Sequence, residues 1–122
     1  MQKTMRRSTS ATLQILSPLE RKAVAAFKKT VQKHVGKKLK KFVMFGSKAR
    51  GMADEDSDLD VLVLVSDLDE DSKLRIWDEA YYVFDKTDVM ISPLVLSESQ
   101  FNSLVKHERL IASEIERDGI II

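Results

Sequence analysis

The stretch Met44–Val65, MFGSKARGMADEDSDLDVLVLV, joins two short apolar runs through a polar connection. The first run, Phe42–Phe45, ends at Gly46-Ser47, and the second, Val61–Val65, follows Asp58-Leu59-Asp60. Both runs are rich in β-branched or aromatic residues and are bounded by turn formers, which is the sequence pattern of β-strands. The stretch therefore predicts two strands with a polar loop between them.

Asp58 and Asp60 form an acidic pair at the start of the second strand. Because side chains alternate along a strand, both carboxylates are expected on one side, roughly 6–7 Å apart, while Leu59 points towards a core. Two like charges on one face cost stability unless a cation lies between them. Paired carboxylates suit a hard divalent ion such as magnesium. We therefore predict a metal site at the acidic pair.

Gly46 and Ser47 have the features of a phosphate-binding corner. Glycine lets the backbone approach a ligand closely, and amides at the start of a short helical turn, predicted at 47–50, attract phosphate. Ser47 adds a hydroxyl donor. The corner lies beside the acidic pair only if the two strands are antiparallel, so the sequence predicts an antiparallel pair here.

Two basic residues follow this corner. Lys48 is predicted to face solvent. Arg50 either supports the loop or the phosphates, or pairs with an acid of the connection, namely Asp54, Glu55 or Asp56. Both interpretations of Arg50 stay open.

A third strand is predicted at Asp88–Pro93, after a helix over about Ser72–Asp85. A strand–helix–strand unit favours a parallel pair with a right-handed crossover, so the second and third strands start at the same edge of the sheet. Asp88 is then expected beside the acidic pair. Its alternative role is that of a turn residue at the strand start, and Asp85 is the other acid nearby.

Helical patterns flank these strands. Ser17-Pro18-Leu19-Glu20 combines a cap, a proline in the first turn and a glutamate three residues after the cap, which predicts a helix start. Two more helices are predicted from about Ser97 and Glu108, and Ile120–Ile122 is expected to form a closing strand or an apolar tail. The residues predicted to face the core are Leu19, Ala23, Phe27, Val31 and Val35, then Trp77, Ala80, Tyr81 and Phe84, then Phe101, Leu104 and Val105, and finally Leu110, Ile111 and Ile115. The result is an α/β (α+β) fold, a small mixed sheet packed by helices in the order α-β-α-β-α-β-α-α.

The length of 122 residues suits one domain. Residues 1–16 are expected to be a flexible segment and 17–122 the folded domain. No window is long and apolar enough to span a membrane, and no secretory segment is present, so a cytoplasmic location is expected. The absence of cysteine excludes disulfides and thiolate metal sites.

Charge is distributed unevenly along a chain of net charge +1. Residues 1–50 hold 14 Lys or Arg and the single acid Glu20, whereas residues 51–122 hold six Lys or Arg and 18 acids. A basic half attracts nucleic acid, nucleotide phosphates or an acidic protein. We favour solvated helix faces balanced by the acidic half, so nucleic acid is not the favoured partner.

The motifs Gly46-Ser47, Ala49-Arg50-Gly51 and Ser57-Asp58-Leu59-Asp60 together resemble the signature of the polymerase-β-like nucleotidyltransferase superfamily. The pattern GSxARG followed by SDxD is most similar to that of the minimal nucleotidyltransferases, called MNT, and the likeness extends over residues 18–122. It implies the nucleotidyltransferase fold and the transfer of a nucleoside monophosphate from a triphosphate, with two Mg²⁺ ions.

The same resemblance implies roles for individual residues. The catalytic and metal-binding residues would be Asp58, Asp60 and Asp88, and the nucleotide-binding residues would be Gly46, Ser47 and Arg50. Minimal nucleotidyltransferases commonly pair with HEPN ribonuclease toxins, and transfer AMP from ATP to a toxin tyrosine. The resemblance thus implies an antitoxin that forms a complex with its HEPN partner. The alternatives are an antitoxin that neutralises its partner by contact alone, and a transferase acting on RNA ends.

Overall fold

The computed structural model of the protein describes residues 6–7, 15–49, 58–107 and 109–122, without the side chains of residues 6, 7, 47 and 109. The elements in chain order are β1 (Arg6–Arg7), α1 (Pro18–Val35), a 3₁₀ turn (Gly36–Lys38), β2 (Leu39–Phe45), α2 (Gly46–Ala49), β3 (Leu59–Val65), α3 (Glu70–Thr87), β4 (Ile91–Leu96), α4 (Glu98–His107), α5 (Arg109–Asp118) and β5 (Ile120–Ile121). The predicted order of helices and strands is confirmed. Strand β5 corresponds to the closing strand, one of the two alternatives for the last residues, and β1 was not predicted.

The five strands form one mixed sheet in the order β1-β5-β2-β3-β4. Strand β2 runs antiparallel to β3 and β5, whereas β3 and β4 are parallel. The predicted antiparallel and parallel pairs are therefore both present. Phe45 at the end of β2 lies opposite Asp60, and Asp60 lies opposite Ser92 of β4 on its other side. The end of β2 and the starts of β3 and β4 thus meet at one edge of the sheet.

Helices cover both faces of the sheet. Helices α1 and α3 pack on one face with buried residues such as Phe27 and Ile76, and α4 and α5 pack on the other around Ile115. Strand β3 is buried on both faces, except that Asp60 is only half-buried. A strand of this kind is central, so its start holds the acidic pair in the middle of the sheet edge.

The start of α1 is as the sequence predicts. The Ser17 hydroxyl accepts from the Glu20 N–H at 3.1 Å, and the Glu20 carboxylate accepts from the Ser17 N–H at 2.8 Å. These two bonds satisfy backbone donors that the first helical turn leaves free.

Four predicted core positions are wrong. Leu19 is 51% exposed, Tyr81 is 58% exposed, Val105 is 37% exposed and Leu110 is 90% exposed. In α3 the buried stripe runs through Ile76, Ala80 and Val83, and Tyr81 lies one helical position, about 100°, from Ala80. Its ring therefore lies at the margin of the stripe.

The structure describes two parts of the segment 1–16, and the flexibility of that segment stays a prediction. Arg6–Arg7 pairs in parallel with β5, and Leu16 is 2% exposed. Without β1, strand β5 would be the edge of the sheet, and an edge strand offers unpaired backbone groups to a nearby extended segment. Among the described helices, none has both the length and the apolar character needed to cross a membrane.

Candidate active site

The acidic pair flanks a residue that anchors β3 in the core. Leu59 is fully buried, whereas Asp58 is exposed and Asp60 is half-buried. Alternation along β3 directs the Asp60 carboxylate away from the core that holds Leu59, and Asp58 immediately precedes the strand. The two side chains are therefore available to a ligand at the sheet edge, and their oxygen donors suit magnesium.

Gly46 lies in direct contact with Asp60. Its φ is +77°, and a Cβ added to it would collide with Oδ2 of Asp60. The register explains the contact, because Phe45 lies opposite Asp60 and Gly46 is the next residue. Only glycine combines this left-handed backbone with so close an approach. The predicted phosphate corner and one carboxylate of the predicted metal site are thus side by side.

Helix α2 begins at Gly46, one residue earlier than predicted, and ends at Ala49. Ala49 is 3% exposed and packs in the main core, so the corner is anchored to the body of the domain. The backbone of Ser47 belongs to α2, while its side chain and the whole of Arg50 lie outside the described residues. Of the three predicted nucleotide-binding residues, Gly46 is therefore the one whose surroundings are described.

Lys48 does not face solvent as predicted. Its side chain is 5% exposed, and its Nζ lies 2.6 Å from Oε2 of Glu20, which is 15% exposed. Burial alone would raise the pKa of Glu20, but the hydrogen bonds from Lys48 and Ser17 and the charge of Lys48 outweigh it and lower the pKa. Sequence reasoning assigned Glu20 only to the helix cap and missed this pair, which joins α2 to the start of α1.

Asp88 does not open a strand. It ends α3 in the left-handed conformation, with φ 62°, and its N–H donates to the Phe84 carbonyl at 2.8 Å. Strand β4 begins three residues later at Ile91 and contains no acid. Across the described parts of the chain, no three His, Cys, Asp or Glu side chains group closely enough to hold a metal ion. The predicted position of Asp88 is therefore wrong, and its catalytic role stays a prediction. Asp85, the other acid considered, lies exposed within α3.

A cavity of about 170 Å³ lies beside Asp58, between α3 and the start of β4. Its lining includes Trp77 and Tyr81 from α3 and Met90 and Ser92 from the β4 region. Sequence reasoning assigned both aromatic residues to the core and missed the cavity. The sequence feature that could have indicated the cavity was the parallel strand–helix–strand unit, because its crossover places the middle of the helix over the start of the third strand.

Two solved structures have a similar fold. A crystal structure of a toxin–antitoxin with AMP-PNP matches with a TM-score of 0.53 and 20% identity, over 78% of this chain and 68% of that chain. A mutant of the toxin–antitoxin MntA-HpeT matches with a TM-score of 0.51 and 20% identity, over the same shares of the two chains. At this identity the likeness establishes the nucleotidyltransferase fold.

Relatives in sequence are closer. The protein "Putative protein adenylyltransferase MJ0141" of Methanocaldococcus jannaschii is 33% identical over 100 residues, which are 80% of this chain and 92% of that protein. A second protein of that organism, "Putative protein adenylyltransferase MJ0604", is 35% identical over 86 residues, 70% of this chain and 82% of its own length. The family model described as "Nucleotidyltransferase domain" matches residues 24–118, which include β2, α2, β3 and the acidic pair. The chain therefore belongs to the nucleotidyltransferase domain family.

Proposed function

We propose that this nucleotidyltransferase moves AMP from ATP to a tyrosine of a partner protein, a HEPN toxin, and thereby acts as its antitoxin. The observation that carries the proposal is the contact between the Asp60 carboxylate and Gly46. It supports the proposal because Asp60 would bind the metal ion and the backbone at Gly46 would approach phosphate, and transfer of a nucleotide needs both at one place. The names of the two sequence relatives support a protein as the acceptor.

Asp58 and Asp60 would hold magnesium, because both are carboxylates at the same open edge and magnesium binds through one or two carboxylates together with substrate phosphates. When bound, the ion neutralises charge on the triphosphate and lowers the pKa of an attacking hydroxyl. The proposal rests on this acidic pair. Asp88 as a ligand of a second ion has no support from its position at the end of α3.

The corner residues would bind the triphosphate. The absence of a side chain at Gly46 lets phosphate oxygens reach backbone N–H groups, and the hydroxyl of Ser47 adds a donor. Arg50 would contribute its charge to the phosphates. Binding the β- and γ-phosphates here leaves the α-phosphorus near the acidic pair, where the acceptor must reach it.

Labelled ATP tests the proposal. The protein, MgCl₂ and the product of the neighbouring gene are incubated with ATP labelled at the α- or the γ-phosphate. Label from the α-phosphate is expected on the partner protein, and label from the γ-phosphate is not. Asp60→Asn is expected to abolish labelling. Asp85→Asn, an exposed acid of α3, is the matched control and is expected to label normally.

The rival functions give different results in this experiment and in an assay of protection from the toxin in cells. If the antitoxin works by contact alone, its Asp60→Asn variant would protect cells from the toxin as well as the wild type does. A transferase acting on RNA ends would produce label that ribonuclease removes, with binding that weakens steeply as salt rises. Either result would overturn protein adenylylation as the function.

A further inference from the structure

The cavity beside Asp58 and the phosphate corner lie on opposite sides of the acidic pair. Strand β3 lies between β2 and β4. Asp60 has Phe45, followed by Gly46, on its β2 side and Ser92 on its β4 side. Ser92 also lines the cavity. Phosphate corner, acidic pair and cavity therefore follow one another across the sheet edge.

This order defines the direction from which an acceptor approaches. Displacement at phosphorus places the attacking and leaving oxygens roughly in line. If Gly46 binds the pyrophosphate portion, the leaving group departs on the β2 side. The attacking oxygen must then arrive from the β4 side, where the cavity opens beside Asp58.

The size and lining of the cavity indicate what enters it. An apolar cavity of about 150 Å³ takes one benzene molecule, and this cavity measures about 170 Å³. Trp77 and Tyr81 offer ring surfaces, and aromatic pairs favour offset or edge-to-face contact. Asp58 and Ser92 add polar groups to the lining. A ring with one polar end, such as a phenol, matches this combination.

We propose that this cavity is the acceptor site, that it binds the tyrosine side chain to be modified, and that Trp77 and Tyr81 select it. This inference rests on the proposed function and adds the location and the selecting residues. The phenol oxygen forms a bond to the α-phosphorus of ATP, and the bond from that phosphorus to the oxygen bridging to the β-phosphorus breaks. Pyrophosphate leaves, and the phenol proton passes to water at the open mouth of the cavity.

A small acceptor tests the site without the partner. N-acetyl-L-tyrosinamide serves as acceptor with α-labelled ATP and MgCl₂, and N-acetyl-L-phenylalaninamide serves as a competitor that lacks the hydroxyl. Trp77→Ala and Tyr81→Ala are expected to raise KM for the tyrosinamide about tenfold, equivalent to about 1.4 kcal/mol. Tyr81→Phe keeps the ring and is expected to restore the wild-type KM, because the ring and not its hydroxyl makes the contact.

Tyr82→Ala is the matched control. Tyr82 is 56% exposed and Tyr81 is 58% exposed, and the two are adjacent in α3, but Tyr82 does not line the cavity. The control is expected to leave KM unchanged, and all four variants should keep the wild-type Kd for ATP. Trp77 packs against the main core, so Tyr81→Ala, at an exposed position, decides the test if Trp77→Ala unfolds.

The outcomes separate the two proposals. If the protein labels its partner but Tyr81→Ala leaves KM unchanged, or if the tyrosinamide is not labelled, the cavity is not the acceptor site and the proposed function stands. If the protein fails to bind ATP with magnesium, both proposals fail. Label on Tyr81 itself, lost in Tyr81→Phe, would also overturn the assignment, since Tyr81 would then be the acceptor.

Discussion

Replacing Gly46 by alanine is expected to weaken magnesium-dependent ATP binding strongly while leaving the domain folded. The backbone of Gly46 has φ +77°, and the added carbon would collide with Oδ2 of Asp60. The left-handed backbone costs a residue with a side chain about 1–2 kcal/mol, which a domain with a typical stability of about 5–15 kcal/mol survives. Asp60 must also move away from the corner, so the proposed metal site loses a ligand.

Gly36 provides a matched control for the backbone cost. It has φ +55°, and a carbon added there meets no described atom within 4 Å. It precedes β2, whereas Gly46 follows it, so the two glycines lie at opposite ends of one strand. Gly36→Ala is therefore expected to lose a similar free energy of unfolding, about 1–3 kcal/mol for strained backbone, and to bind ATP normally.

Calorimetric titration with ATP, with and without MgCl₂, and urea unfolding measure both effects. Gly46→Ala should weaken ATP binding at least about tenfold, or about 1.4 kcal/mol, when magnesium is present. Without magnesium its loss of affinity should be smaller, because only the contact of the corner with phosphate is then affected, and Gly36→Ala should match the wild type in both conditions. Wild-type affinity of Gly46→Ala for magnesium-bound ATP would refute the reasoning, because Asp60 and the corner would then not share a site.

Other substitutions test the remaining contacts. Asp88→Asn is expected to slow transfer less than about tenfold, or about 1.4 kcal/mol, because asparagine also adopts the left-handed helix end; a hundredfold loss of kcat would place Asp88 in the metal site. Ser17→Ala should lower the free energy of unfolding by about 1 kcal/mol in urea titrations, since it removes the helix cap. Glu20→Gln should lower it by about 1.5–3 kcal/mol at pH 7, the typical contribution of a hydrogen bond to a charged group. Because the folded-state pKa of Glu20 is lowered, its stabilisation is complete above the ordinary value of 4.5. It disappears as pH falls through the lowered pKa, so wild type and Glu20→Gln should converge in stability in acid; a difference that persists there would contradict this account.

Local pattern was sufficient to predict the strand pair and the acidic pair. Two apolar runs separated by turn formers specify strands, and an alternating Asp-Leu-Asp specifies which side chains leave the core. These rules act over a few residues, so tertiary structure had little opportunity to override them. The same reasoning placed Gly46 beside Asp60, once an antiparallel pair was required.

The end of α3 could not be predicted in this way. The Thr87 hydroxyl donates to the Val83 carbonyl at 2.7 Å and accepts from the Val89 N–H at 3.2 Å. These two bonds carry the helix beyond Asp85 and close its last turn, and Asp88 follows as the left-handed terminator. Periodicity indicates that a helix exists, but side-chain bonds of this kind determine where it stops. An error of three residues was enough to remove Asp88 from the strand.

The pair of Lys48 and Glu20 depends on contacts between distant parts of the chain. Twenty-eight positions separate the two residues in the sequence, and no local pattern links a lysine in a short helical turn to a glutamate in a helix cap. In the fold, burial of the ammonium requires a charged partner, and Glu20 lies 2.6 Å away. Lys48 is flanked by Ser47 and by Ala49, which is buried in the core, so the position of the phosphate corner is tied to the first turn of α1. Changes at that turn are therefore expected to alter nucleotide binding, although none of its residues belongs to the acidic pair or to the corner.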